Sequence, residues 1–536
     1  MLDGEPDSRR GRFNPLSLRG FDYETRTYAY LVSFFAVEVL LFGLLAHPIE
    51  AIGSAENDQY VWMAEVILGG QLPHDVYRPL LYPLSVAGTR VFGLGGFEGA
   101  QLISMLSAIV MMAATIHLAK RIVSFQAVIL CAVLLVFSFP ILSSAVMATT
   151  DMIFSALVLL NLCCMVEYDE ARSRKWLFWM SLTFSLAFFA RYTAAVLLFP
   201  LVLVFIVQLQ SAPMRTFKHG LLCVSLVLVF LLPHFVLSYV QFESPLYNEN
   251  WKNTAFKLYG EHDWSYFDRI PYASGWDFMS ASYGLLFGEG ISSLKSFATR
   301  GMPGLISTDE LFRVWLYPIS FLIGLIGLLL ARKRSFLILL SFLAAYTVGI
   351  CMMFHPWPRL MFVLLPIVFI ALSYAWIDFF SAFLPNSWQK LWGTGVIGLC
   401  ALVGLLSWPA EINRFVARHP LSEVDIIRKL GREKVNIMGT FLHGWRFVEG
   451  SYSYIPDAFG LERIHPELFL EKVRLQAESQ EASYFVVGRL TLENRPEALL
   501  RHQDLPDWLK TSQTHDDFVV YRIELGYSVN DEADPG

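Results

Sequence analysis

Charge is scarce in this sequence. Asp, Glu, Lys and Arg make up 16% of its 536 residues, against about 25% in ordinary soluble domains. That shortage excludes a conventional water-soluble fold for most of the chain. Cysteine is also sparse: the six thiols (Cys131, Cys163, Cys164, Cys223, Cys351, Cys400) all fall inside apolar runs. Such placement excludes a disulfide framework and a CxxC metal site, and marks the thiols as buried. No Asn-x-Ser/Thr sequon occurs, which favours a bacterial setting over a lumen where sequons are glycosylated. No repeat of period 20–50 is present, so a solenoid is excluded. The formal net charge of −6 offers nothing to a nucleic acid.

What the chain has in abundance is apolar and aromatic side chains: 55% of residues are hydrophobic, with 43 Phe, 14 Trp and 22 Tyr, and the mean hydropathy is +0.47. About 20 apolar residues cross a hydrocarbon core as a helix. Eleven stretches answer that description: 28–47, 98–119, 124–144, 151–167, 175–190, 192–209, 220–240, 312–331, 335–354, 360–380 and 391–409. The expected fold is therefore a mainly α polytopic membrane protein. Residues 1–27 form an Arg-bearing leader (Arg9, Arg10, Arg12, Arg19), read as retained with the first span as an anchor. Residues 28–409 form the membrane domain, with long polar loops at 48–97 and 241–311.

Basic residues set the orientation. Lys120 and Arg121, Arg172 to Lys175, Arg215 and Lys218, Arg332 to Arg334 and Lys390 share one set of connections, whereas the alternate short connections hold only Arg359. The basic side is expected to be cytoplasmic, in an inner (plasma) membrane, which puts both long loops and the tail outside. The tail, 410–536, alternates short β-rich runs (Val435–Met438, Tyr484–Val487, Phe518–Ile523) with polar helical stretches such as Leu461–Glu478. It reads as a small extracytoplasmic α/β domain.

The first outer loop carries the chemistry. Glu56 and Asp58 follow the first span, then a short, mostly apolar helix that stops at Gly69-Gly70, then Tyr77-Arg78-Pro79 and a second short piece over 80–95. Both pieces are too short to cross and suit the interface. A carboxylate on such a platform sits where a lipid head group meets water. Asp151 opens the fourth span, Arg191 interrupts a long apolar run, and His355-Pro-Trp357-Pro-Arg359 forms a short outer turn.

Together these stretches resemble the GT-C superfamily of polyprenyl-phosphate-sugar glycosyltransferases, especially its protein-mannosyltransferase and aminoarabinose-transferase-like branch. The matching pieces are Asp58-Gln59-Tyr60, Tyr77-Arg78-Pro79 to Tyr82-Pro83, Thr150-Asp151-Met152, Ala190-Arg191-Tyr192-Thr193, Pro358-Arg359 with Leu364-Leu365-Pro366, and Glu243 to Asn248 with Asn250. The resemblance covers about 20–410 and implies a GT-C-like helix arrangement. It also implies inverting transfer of a sugar from a polyprenyl-phosphate carrier to an outward lipid, glycan or protein. In that reading Asp58 is the general base, with Glu56 as a second carboxylate, and Asp151 orients the acceptor or coordinates a metal. Arg78, Arg191, His355 and Arg359 receive the donor phosphate, a task that suits the fixed charge and forked donors of arginine. Asp58 and Asp151 would hold a divalent cofactor, Mg or Mn, if one is used; the family often has Asp-Glu in the first loop, and Gln59 stands in the second place here.

Blander readings stand beside each assignment. Asp58 and Asp151 precede helices and could serve as N-caps, Glu56 could be a solvated loop residue, and Arg191 could snorkel to the interface. His355 could be an ordinary loop histidine and Trp357 an interfacial anchor; Lys252 and Lys257 read as solvated charge. Two other functions remain open: a polysaccharide polymerase or ligase with a diphosphate-linked donor, and a lipid-linked-sugar transporter or flippase. Against the transporter, no inverted repeat is visible and the candidate charges gather on one face.

Overall fold

The computed structural model describes residues 23–46, 55–73, 77–245, 247–259, 270–303, 317–331, 333–354 and 358–417. In the tail it describes 427, 429–430, 436–439, 452–454, 466–488, 506–514 and 518–524. Over 55–59 the description extends to the backbone only. The chain is a helix bundle with a small sheet after it.

The bundle helices are α1 (Tyr23–Ala46), α2 (Ala55–Leu68), α3 (Leu81–Thr89), α4 (Gly96–Ile122), α5 (Phe125–Val136) and α6 (Phe139–Ala145). They continue with α7 (Asp151–Ala171), α8 (Arg174–Ala190), α9 (Leu198–Leu209), α10 (Pro213–Phe242), α11 (Trp251–Tyr259) and α12 (Gly275–Ser296). The last four are α13 (Tyr317–Leu330), α14 (Arg334–Met353), α15 (Leu365–Ser373) and α16 (Asn386–Ala417). By length and composition eight helices of the described residues can cross a membrane, or nine if the pair α5 and α6 is one span. The chain is thus a multi-pass membrane protein. In their described residues all eleven expected stretches are helical, but three fall outside that test. The α5–α6 pair is bent by 58° where Pro140 enters the first turn of α6, since proline cannot continue the hydrogen-bond ladder. Helices α8 and α13 have only 17 and 14 residues, so a count of eleven is not established by helix length.

Local chemistry ends the helices where the sequence indicated. The amide of Gly69 reaches Glu65 C=O at 3.0 Å and that of Gly70 reaches Ile67 C=O at 3.0 Å. Gly70 sits at φ +76°, a left-handed helix stop that glycine takes without steric cost. At the start of α4, the Glu98 carboxylate accepts from the Gly95 amide at 2.7 Å, satisfying an otherwise orphaned donor.

The two short pieces of the first loop do not lie loose. Tyr60, Val61, Met63 and Ala64 of α2 pack with Tyr82, Val86 and Ala87 of α3, over Ala100 and Ala148, as a cluster separate from the main core. Tyr82 is fully buried; its hydroxyl donates to Ala100 C=O at 2.9 Å and lies 3.1 Å from Ser104 Oγ. Burial raises its phenol above the usual range, so it stays a donor.

In the tail, strands β1 (Ile437–Gly439), β2 (Tyr452–Tyr454), β3 (Tyr484–Gly488), β4 (Leu509–Thr514) and β5 (Phe518–Ile523) form a mixed sheet in the order β2-β1-β3-β5-β4. Helix α17 (Pro466–Gln480) buries Val473 and Ala477 against Met438, Phe485, Val487 and Tyr521. The α/β expectation for the tail therefore holds in the described residues. Its two unforeseen strands, β2 and β4, are the sheet edges, and β4 (LKTSQT) is polar, as edges tend to be.

Candidate functional site

One end of the bundle collects the candidate residues. Asp151 opens α7, and its carboxylate is held from two sides. Thr149 Oγ donates to Oδ2 at 2.8 Å, and Arg191 Nη2 lies 2.6 Å from Oδ1. The Arg191 contact is off the hydrogen-bonding direction, so it is a close charge pair rather than a directed bond. Asp151 is 3% exposed and Arg191 15%. No side-chain cap closes α7 at Thr150; the Asp151 carboxylate serves Arg191 instead of capping, and the positive end of the α7 dipole favours its charge.

Arg191 stands where α8 ends in an extended residue before a 3₁₀ turn, Tyr192–Leu197. This break turns the side chain inward. Its Nε donates to Thr150 Oγ at 2.8 Å and its Cζ lies 5.7 Å from the Phe154 ring centroid. The snorkelling alternative is thus not what the structure holds. The Thr150 hydroxyl also meets Tyr60 OH at 3.4 Å, and Arg78 Cζ lies 6.0 Å from the Tyr60 ring centroid. On the far side, Tyr346 of α14 donates to Leu360 C=O at 2.8 Å, next to Arg359. Arg359 is close enough to Arg191 for their charges to repel. Three arginines from three separate stretches therefore share this end of the bundle: Arg78 beside Tyr60, Arg191 on Thr150 and Asp151, and Arg359 within electrostatic range of Arg191.

Glu56 and Asp58 fall in the first turn of α2, where the backbone alone is described; His355 lies outside the described residues. Among the described residues no group of three His, Cys, Asp or Glu side chains gathers to hold a metal ion. Asp151, the one described carboxylate of the expected metal pair, faces an arginine and a threonine instead. Its expected partner Asp58 is described in its backbone only, and the chemistry considered below is that of the protein's own side chains.

Sequence reasoning missed three contributors: Tyr60 as the link between Arg78 and Thr150, Tyr346, and the segment after α10. Tyr60 stood inside a quoted motif and Tyr346 inside an apolar run, where periodicity cannot reveal a polar tip that bonds across the bundle. Lys252 pairs with Glu249 at 2.7 Å. Lys257, read as solvated charge, is instead 9% exposed, and its ammonium donates to Cys351 C=O at 2.5 Å. The correction has a tertiary cause: α11 folds back onto the end of α14, and the contact covers the lysine.

The opposite end of the bundle carries the basic set. Arg121 contacts Glu167 and Glu170 at 2.5 and 2.9 Å, and Arg215 donates to Arg172 C=O at 2.7 Å. The two ends are thus chemically distinct.

No curated protein matches the chain in sequence. Residues 78–237 match the family described as dolichyl-phosphate-mannose-protein mannosyltransferase, a stretch that includes Arg78, Asp151 and Arg191. Among solved structures, ArnT from Cupriavidus metallidurans in the apo state superposes with a TM-score of 0.52 at 13% identity, covering 90% of this chain and 97% of that one. The oligosaccharyltransferase of Archaeoglobus fulgidus, tethered with an acceptor peptide containing the NVT sequon, gives 0.53 at 12% identity over 87% of this chain and 69% of that one. Its apo form gives 0.51 at 11% identity, over 88% and 70%. The chain therefore shares the fold of these structures, and its residues 78–237 match the mannosyltransferase family.

Proposed function

We propose that the chain is an inverting glycosyltransferase that moves a sugar from a polyprenyl-phosphate carrier to an acceptor outside a bacterial inner membrane. The observation that carries this reading is the gathering of Arg78, Arg191 and Arg359 at the end of the bundle that holds the buried Asp151. Cations repel one another, and a protein gathers them at a polar end of a bundle when an anion is to be held between them. A phosphate matches their forked donors. The match of 78–237 to a family named for dolichyl-phosphate-mannose supports the same donor class.

In the reaction, Asp58 removes the proton from the acceptor hydroxyl as its oxygen bonds to the anomeric carbon. The bond from that carbon to the phosphate oxygen breaks on the opposite face, and polyprenyl phosphate leaves with the electron pair. Arg78, Arg191, His355 and Arg359 take up the charge that develops on the leaving oxygen, where preorganised cations are most effective. Asp151 keeps Arg191 in position for this and neutralises part of its charge between turnovers. The segregation of basic residues at the other end of the bundle supports an outward site, and the small sheet after α16 is then an outward domain.

The test is sugar release from a short-chain polyprenyl-phosphate sugar by the purified full chain in detergent. Asp58→Asn keeps the size of the residue and removes its proton affinity, so turnover should fall by about 10²–10⁴-fold with donor binding intact. An Asp58→Asn enzyme that transfers sugar at the parental rate would exclude this base and move the role to Glu56.

A further inference from the structure

The segment after α10 touches two of the three site arginines' neighbourhoods at once. On the last turn of α10, Gln241 Nε2 donates to Pro73 C=O at 3.1 Å, and at the near end of the segment Asn250 Nδ2 donates to Tyr77 C=O at 2.9 Å. Tyr77 OH also reaches Glu249 Oε2 at 3.4 Å, and that carboxylate takes Lys252 at 2.7 Å and Tyr247 OH at 2.8 Å. Although burial opposes it, these donors hold the Glu249 carboxyl below its usual range, so it remains an acceptor. Tyr77 precedes Arg78 directly.

At its far end the same segment closes the last turn of α14. A helix leaves its final carbonyls without intrahelical partners. Ile350 C=O is taken by the Phe354 amide at 2.8 Å, after which the backbone turns extended. Of the next three carbonyls, Met353 accepts from Thr254 Oγ at 2.6 Å and Cys351 accepts from Lys257 at 2.5 Å. Thr254 and Lys257 are three apart on α11 and so share one face. Both are buried, Thr254 completely. Burial pushes the Lys257 ammonium below the ordinary lysine range, with Glu289 opposing that shift. Burying an ammonium is costly, and here it is directed at the backbone oxygen of Cys351, eight residues before Arg359, rather than into the site.

We propose that residues 247–257 are a clasp that sets Arg78 and Arg359 in register, with Asn250, Thr254 and Lys257 as positioning residues. The inference rests on the donor-phosphate reading above. Without Lys257 the last turn of α14 loosens, and Arg359, which follows it closely in sequence, is no longer held at a fixed distance from Arg78. None of the three positioning residues needs to touch the donor.

Lys257→Met and Thr254→Val remove the two caps, and Thr254→Ser keeps the hydroxyl. The donor KM should rise about tenfold in each of the first two variants, the scale of one buried hydrogen bond, with kcat little changed. Thr254→Ser should behave as the parent. A second readout needs no turnover: Cys351 is fully buried beside this contact, and its maleimide labelling, mapped by mass spectrometry, should quicken about tenfold in both variants. Labelling of Cys131, in the core elsewhere, should not change. Folded Thr254→Val with parental KM and parental Cys351 labelling overturns the clasp, and it decides the matter if Lys257→Met fails to fold. A parental donor KM in Arg359→Ala would instead sink the donor-phosphate reading, while Cys351 labelling still tests the clasp.

Discussion

The pairing of Asp151 with Arg191 gives the most exacting test of the site. The two charges are 2.6 Å apart and nearly enclosed, at 3% and 15% exposure. Asp151→Asn keeps the shape and the Thr149 contact, and leaves the guanidinium with Thr150 as its neutral partner. Breaking a buried pair by removing one member costs about 3–5 kcal/mol; the Thr150 bond and partial exposure put the lower end, about 3 kcal/mol, on this variant. Arg191→Met strands the carboxylate in the same way, and should cost about as much. Removing both charges leaves neither stranded, so the double variant should be no worse than the worse single one, a coupling of at least about 3 kcal/mol. Unfolding entropy scales with chain length, so 3 kcal/mol in 536 residues corresponds to a shift of about 3 °C. The five buried thiols and the half-buried Cys400 supply the assay: thermal unfolding in detergent followed by a thiol-reactive fluorophore. If the double variant melts lower by the sum of the two single shifts, the residues act independently, and Asp151 is not the holder of Arg191.

Three further outcomes follow from the same structure. Tyr82→Phe removes a buried hydroxyl that serves Ala100 and Ser104; the melt should show a loss of about 1 kcal/mol, and no loss would mean that the α3–α4 contact is carried by apolar packing alone. Alkaline phosphatase fused after Gly526 should be active and after Arg334 inactive if the basic end faces the cytoplasm as proposed; equal or reversed activities would refute the orientation. Limited proteolysis just after Ala417 should release a soluble folded fragment of the tail, because its sheet and α17 have their own apolar core; a tail that stays with the detergent-bound bundle after clean cleavage would count against a separate domain.

The parts legible in the sequence are those that depend on near neighbours. An apolar run long enough to span a membrane is helical in lipid whatever surrounds it, because its backbone must satisfy its own hydrogen bonds. In their described residues all eleven expected stretches are helical for that reason; the α2 stop at Gly69-Gly70 and strands β3 and β5 were legible from their local sequence. Arg191 was legible too, since a charge inside an apolar run is costly enough to stand out. Partners were not. Asp151 and Arg191 are forty residues apart in sequence, and no local pattern distinguishes a carboxylate that serves an arginine from one that caps its own helix. Lys257 carries the same ambiguity in reverse: its sequence surroundings are polar enough for a solvated lysine, and only the return of α11 to the end of α14 buries it. The bend at Pro140 and the polar edge strand β4 likewise depend on what packs beside them. Local hydrophobicity determined that this chain crosses a membrane and roughly where; long-range packing decided which charges face each other, because burial and pairing are properties of the neighbours that the fold supplies.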